Sequence, residues 1–80
     1  MHDVYLLQST VDGRLRYTGS TGDLRARLAG HNAGQNPSTS RGRPWRVVAY
    51  IAFRDEAKAR RLERYLKSGS GRTFARRHLL

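Results

Sequence analysis

Cysteine is missing altogether from these 80 residues, and proline occurs only twice. With no thiol, neither a disulfide framework nor a cysteine-based zinc site can staple so short a chain, so its hydrophobic core has to suffice. Acid is scarce as well. Six Asp and Glu stand against sixteen Lys and Arg, for a formal net charge of +10. No apolar run approaches the roughly 20 residues of a membrane span, and the opening "MHDVYLL" has neither the basic nor the apolar region of a signal peptide. A soluble, cytoplasmic protein with no membrane partner is expected. The length leaves room for one small domain over residues 1–80 and for a single site, with a monomer as the default.

What the chain has in excess is arginine, whose planar fork donates two parallel hydrogen bonds and suits phosphate. A charge of this size and sign points to a polyanionic partner, with nucleic acid well ahead of an anionic membrane. A membrane-surface helix would set large exposed apolar residues opposite its charges. The arginine-rich segment near 56–68 instead places its leucines where a core would need them.

Patterning predicts an α+β architecture. "VYLLQS" (4–9) reads as a strand and "RLRYTGS" (14–20) as a second, with Asp12-Gly13 between them as a hairpin signal. A helix follows from about Leu24 to Asn32, with either Thr21 or Asp23 as its cap and Leu24 and Leu28 as its apolar stripe. "AGQNPSTSRGRP" (33–44) has no periodicity and is expected to be a mobile basic loop. "WRVVAYIAF" (45–53) is the strongest strand, and its near-continuous apolar character predicts burial on both faces. Asp55 caps a second helix over about 56–68 that buries Ala59, Leu62 and Leu66. "SGSG" ends that helix, and the tail forms a short final one placing Phe74 and Leu79 on the core.

Three groups of polar residues carry the chemistry. Arg27 and His31 stand one helical turn apart, where Arg27 can snorkel and His31 can close the helix C-terminus as a favoured cation. Glu63 lies at the edge of the second helix's apolar stripe among Lys58, Arg60, Arg61, Arg64 and Lys67. It either pairs with Lys67 at i,i+4 or holds a divalent metal, since one carboxylate suits a magnesium ion that keeps most of its waters. Tyr5 and Tyr17 fall on neighbouring strands. Core packing accounts for them, yet a buried phenol wants a partner, and a basic, metal-containing pocket would lower its pKa from about 10 toward general-base duty. The glycine-framed turn before the first helix is no nucleotide-binding P-loop, because no Lys-Ser or Lys-Thr follows at the required spacing.

Taken in order, Tyr5 in "DVYLL", "YTG" at 17–19, Arg27 eight residues beyond that glycine, His31 and Asn32 in "GHN", and Glu63 in "LERYLKSGSG" resemble the GIY-YIG endonuclease superfamily, of the small single-domain bacterial type. Asp3-Val4 stands where the namesake Gly-Ile would be, and Thr18 replaces the Ile of the second motif. The resemblance implies a small three-stranded antiparallel β-sheet flanked by helices. It also implies a metal-dependent DNA endonuclease that hydrolyses phosphodiester bonds by a one-metal mechanism, acting on single-stranded or structured DNA in repair or recombination. Glu63 would then bind Mg²⁺ or Mn²⁺. Tyr5 would help deprotonate water, directly or through its hydrogen bonds, and Tyr17 would position water and phosphate. Arg27 would stabilise charge in the transition state, while His31 would orient a tyrosine or relay a proton. Gly19, where a glycine turn would let DNA approach, joins Asn32, Arg41, Arg43 and Lys67 as substrate-binding candidates. The alternative is a non-catalytic module that binds DNA or RNA.

Overall fold

The computed structural model describes residues 1–80. Three strands and three helices follow one another as β1 (His2–Ser9), β2 (Arg16–Thr21), α1 (Leu24–Asn32), β3 (Trp45–Phe53), α2 (Glu56–Lys67) and α3 (Gly69–His78). The strands form one antiparallel sheet in the order β2-β1-β3, the α+β arrangement that the sequence leads one to expect. No helix is long and apolar enough to cross a membrane.

The strand buried on both faces is β1, not β3. Its run Val4–Leu7 is fully buried because β1 has a neighbour on each side and a helical layer above and below. Alternation along β1 then divides the core in two. Val4 and Leu6 pack with Ala59, Leu66 and Ala75 beneath α2 and α3, whereas Tyr5 and Leu7 pack with Trp45, Tyr17, Leu24 and Leu28 on the α1 side. β3 is an edge strand whose apolar residues are mostly half-covered, and Tyr50 is 59 % exposed. An apolar run fixes that a strand touches a core, but not whether it has one neighbour or two.

The loop at 33–44, although largely exposed, is anchored to the interior. A 3₁₀ turn at Ser40–Gly42 brings Thr39 and Gly42 into the interior against Trp45, and the indole Nε1 donates to the Thr39 carbonyl at 2.7 Å. Asn32 fastens the far end: its Oδ1 accepts from the Trp45 amide at 2.6 Å and its Nδ2 donates to the Trp45 carbonyl at 3.1 Å. The helix caps follow local chemistry. Asp23 caps α1 by accepting from the Ala26 amide, and Asp55 caps α2 by accepting from the Ala57 amide.

"SGSG" begins a helix as well as ending one. The Ser68 hydroxyl donates to the Tyr65 carbonyl at the end of α2 and accepts from the Gly71 amide at the start of α3. Consequently α3 starts earlier than the sequence suggests and turns Ala75 into the core, leaving Phe74 40 % exposed against Tyr65 and His78. Leu79 packs on the core as expected. The corner depends on Gly71, where a Cβ would lie 1.8 Å from the Tyr65 carbonyl oxygen, while a Cβ on Gly69 would meet nothing. Gly71→Ala should therefore destabilise by about 3 kcal/mol or more, lowering Tm by upwards of about 10 °C. Gly69→Ala should leave Tm unchanged or slightly raised. Thermal melts of the two variants read the difference, and equal melting temperatures would contradict this account of the α2–α3 corner.

Candidate active site

Register and alternation position the first part of the site. Tyr5 faces Gly19 across β1 and β2, and Tyr17 lies one pair further along the same face. A Cβ at Gly19 would stand 2.6 Å from the Tyr5 hydroxyl and 3.0 Å from the Tyr17 ring, so the glycine leaves the space the phenol occupies. Gly19 is thus buried within β2 and packed against a tyrosine. It is not an open turn for DNA to approach.

The Tyr5 hydroxyl lies 2.9 Å from His31 Nε2, and His31 Nδ1 lies 2.7 Å from Thr39 Oγ1. Tyr17 closes the cluster, its ring centroid 6.2 Å from that of Tyr5 and 4.9 Å from that of His31. Burial, reinforced by the neighbouring Tyr17 and opposed by Arg27, pushes the Tyr5 phenol up to about 12. In the free protein the phenol is held as a neutral donor, the opposite direction from the lowering expected of a basic, metal-containing pocket. His31 departs from its sequence reading too. It is 1 % exposed, and burial followed by the Arg27 charge lowers its pKa, so it is a neutral interior imidazole instead of a cation closing α1.

The second part lies on the other side of β2. Ser20 points to the α2 face, opposite to its neighbour Gly19, and donates to Glu63 Oε1 at 2.6 Å. Lys67 Nζ donates to Glu63 Oε2 at 2.9 Å. Burial raises the Glu63 pKa, but the hydrogen bonds from Ser20 and Lys67 and the charges of Lys67 and Arg60 outweigh it, holding the carboxyl below its usual range. Glu63 is an ionised carboxylate with the Lys67 pair that its i,i+4 spacing predicts. An open groove of ≈ 470 Å³ contains Glu63, Ser20, Lys67, Arg60 and, from α1, Arg27. Arg27 also borders the cleft over His31, Gly30 and Asn36 and so links the two parts. Arg25 lies in a different depression beside Asp3, Asp23 and Tyr50.

Of the residues singled out in the sequence, Tyr5, Tyr17 and His31 come together as one buried cluster, and Arg27, Glu63 and Lys67 line the adjoining groove. The remaining candidates sit elsewhere. Asn32 spends its amide on Trp45, Arg43 donates to the Ser40 carbonyl at 2.9 Å, and neither Arg41 nor Arg43 lines the groove. Ser20 and Thr39 are the additions. Strand alternation could have signalled Ser20, whereas Thr39 lies in a loop without any periodic pattern.

A three-stranded antiparallel sheet with two tyrosines, a histidine, an arginine and a glutamate gathered around one edge strand defines a small α+β protein with a polar, cationic site. The chain belongs to the GIY-YIG family: the model of the GIY-YIG catalytic domain matches residues 1–77. It is 38 % identical to a UPF0213 protein of Halobacterium salinarum over 68 residues, covering 84 % of this chain and 86 % of that one. It is 39 % identical to a UPF0213 protein of Cupriavidus pinatubonensis over 61 residues, covering 75 % of this chain and 66 % of that one, just under two thirds of the relative. Among solved structures it resembles the solution NMR structure of a UPF0213 protein from Bacillus halodurans, with a TM-score of 0.56 and 38 % identity over 94 % of this chain and 79 % of that one.

The lowered His31 pKa has a thermodynamic consequence. Because the unfolded histidine binds a proton near 6.5 and the folded one resists it, the stabilisation is complete above the unfolded value and is lost as pH falls from there to the folded value. The wild type should therefore lose stability on acidification from about pH 7.5 to about 5.5, and His31→Gln should show a shallower slope over that window. Parallel slopes in denaturant titrations across the range would contradict a neutral buried His31.

Proposed function

We propose that this chain is a DNA endonuclease that hydrolyses phosphodiester bonds with a single Mg²⁺ or Mn²⁺ ion at Glu63. The observation that carries the reading is the shared groove. Arg27 from α1 and the ionised Glu63 from α2 open into one cavity across β2, with the Tyr5–His31–Tyr17 cluster adjoining.

The donor set suits such an ion. No group of three or more His, Cys, Asp or Glu is gathered anywhere in the chain. The groove's other carboxylate, Glu56, is paired with Arg60, so a cation would use Glu63 and fill its shell with water and phosphate oxygens, as magnesium commonly does. Ser20 fixes the Glu63 rotamer for that purpose, and Lys67 would release Oε2 to it. When bound, the ion would polarise the phosphoryl group and offset charge on the leaving oxygen. The chain's own groups do the rest. Arg27 donates to the non-bridging oxygens as charge builds, a role in which a preorganised donor is worth several kcal/mol. Tyr17 orients phosphate and water at the mouth of the cluster, and Tyr5 takes a water proton while passing its own to His31.

The basic surface extends past the groove. Lys67 is shared with a second cleft of ≈ 350 Å³, floored by Leu6, Leu66 and Ala75 and rimmed by Arg16, Arg72 and Arg76, with no Asp or Glu in its lining. A nucleic-acid strand held there would follow α3 rather than the 33–44 loop. Replacing Arg72 and Arg76 by Ala together should then reduce the slope of log affinity against log salt by roughly 1.5 units, about 0.7–0.9 for each lost phosphate contact. An unchanged slope in fluorescence-anisotropy titrations would move the binding path elsewhere.

One observation favours a second reading, a non-catalytic nucleic-acid-binding module: Lys67 already neutralises Glu63. Glu63→Gln separates the two. If Glu63 holds the ion, metal-dependent cleavage of labelled single-stranded, duplex, flap and junction DNA should fall by roughly 10²-fold or more, while binding persists or tightens because a carboxylate has left a phosphate site. If Glu63 serves only as a surface pair, stability should change by less than about 1 kcal/mol and activity should be unaltered. Near-normal cleavage by the folded variant would refute the metal assignment, and cleavage of none of the four DNAs by the wild type with either ion would leave the binding module.

A further inference from the structure

Thr39 is as buried as the residues of the core, 1 % exposed, yet its side chain is polar and none of the family's motif residues. Its hydroxyl has two partners: the Asn36 carbonyl oxygen at 3.3 Å and His31 Nδ1 at 2.7 Å. The direction is set at the other side of the ring, where the buried Tyr5 hydroxyl has His31 Nε2, at 2.9 Å, as the acceptor for its proton. Nε2 is then the bare nitrogen, and a neutral imidazole with one N–H carries it on Nδ1. Nδ1–H donates to Thr39 Oγ1, whose own proton goes to the Asn36 carbonyl. The direction of every bond in the chain follows: Tyr5 donates to His31, His31 donates to Thr39, and Thr39 donates to Asn36.

We propose that Thr39 is a positioning residue that holds His31 in the Nδ1–H tautomer, so that Nε2 receives the Tyr5 proton and the Tyr5–His31 pair, instead of Tyr5 alone, is the base. The opposite tautomer would place an N–H against the Tyr5 oxygen and close that route. The step balances. One O–H bond of the attacking water breaks as an O–H forms on Tyr5. The original Tyr5 O–H breaks as an N–H forms on Nε2, leaving tyrosine neutral and His31 an imidazolium whose Nδ1–H is already held by Thr39. That proton returns to solvent after turnover. The catalytic half of this inference rests on the nuclease reading; the tautomer does not.

The fold supports Thr39 from several sides. Trp45 Nε1 donates to its carbonyl, the Thr39 amide donates to Asn36 at 3.1 Å, and the Asn32 side chain holds the Trp45 backbone. The charged and titratable groups around the imidazole are Tyr5 from β1, Tyr17 from β2 and Arg27 from α1. None is an acid that would compete with Thr39 for the Nδ1 proton.

The test is ¹⁵N NMR of the histidine side chains in the full chain without metal or DNA, combined with single-turnover and steady-state cleavage. Wild-type His31 should show the Nδ1–H tautomer. Thr39→Val keeps the shape and removes the acceptor, so the ring should move toward Nε2–H, with kcat lowered roughly 10-fold or more, in the range of a lost proton-transfer contribution, and KM little changed. Thr39→Ser should restore both tautomer and kcat. An Nε2–H ring in the wild type, or a folded Thr39→Val protein that keeps the Nδ1–H ring and full kcat, overturns the inference. Should Thr39→Val not fold, the wild-type tautomer and Thr39→Ser decide it, Nδ1–H in both supporting it and Nε2–H in either overturning it. Because the tautomer is read without substrate, a wild type that never cleaves overturns the nuclease reading and not the hydrogen-bond direction.

Discussion

A phenol buried at the centre of the sheet must have a partner for its hydroxyl, since desolvating such a group without one costs on the order of 1–3 kcal/mol or more. Much of this structure is built around that requirement at Tyr5. Its partner, His31, is an imidazole with a second nitrogen, which in turn needs Thr39. Thr39 can be there only if the loop after α1 folds inward, and Trp45 and Asn32 fold it. On the other side the hydroxyl needs space, which Gly19 leaves. No buried side-chain polar atom in the chain lacks a hydrogen-bond partner. The α1-side core is therefore the polar cluster itself, and the residues that hold this half of the molecule together are the ones that would handle protons.

The α2 side works differently. Its core is apolar and conventional, and its polar residues lie in an open groove among cations. A buried, neutral half on one face and an exposed, charged half on the other meet around β2. That strand is short and at the edge of the sheet, so groups from both faces can reach around it. The Tyr5 phenol senses charges from both sides, Arg27 lowering its pKa and Glu63 raising it. On the proposed reading, a proton-handling cluster sheltered from water would lie beside an electrostatic site exposed to a polyanion, a useful division because the first needs desolvation and the second needs access.

How far the sequence could be read follows from which interactions leave a pattern. The bounds of α1 were legible in Asp23, Leu24 and Leu28, because a cap and a stripe are local signals. The motif residues Tyr5, Tyr17, Arg27, His31 and Glu63 were legible through resemblance, and the structure groups them at one edge of the sheet. The reading failed where a residue's role depends on distant partners. "VYLL" and "WRVVAYIAF" are both apolar, and only the strand order makes the shorter one central. Ser68 can end one helix or begin another, and here it does both. The fold of the 33–44 loop rests on one indole N–H and one side-chain amide, neither of which has a period. Asn32 and Gly19 were singled out for substrate and are engaged with Trp45 and Tyr5.

The Glu63–Lys67 pair shows how one structure accommodates a carboxylate inside a surface made for phosphate. Alone, Glu63 would repel the substrate; paired, it presents a nearly neutral patch. The pair is partly open to water, with Glu63 22 % and Lys67 50 % exposed, so it is worth at most about 1 kcal/mol. So weak a pair leaves the ammonium open to competition from a phosphate, which carries more acceptor oxygens than a carboxylate. On the proposed reading, Glu63 Oε2 would become free as a phosphate arrives, while Oε1 is held by Ser20. By the same reading, Lys67 sits where a cation would bind Glu63 and would leave that place when substrate supplies further oxygen ligands. The same lysine lies 5.8 Å over the Tyr17 ring, so its departure would also uncover the face of the tyrosine turned toward the phosphate.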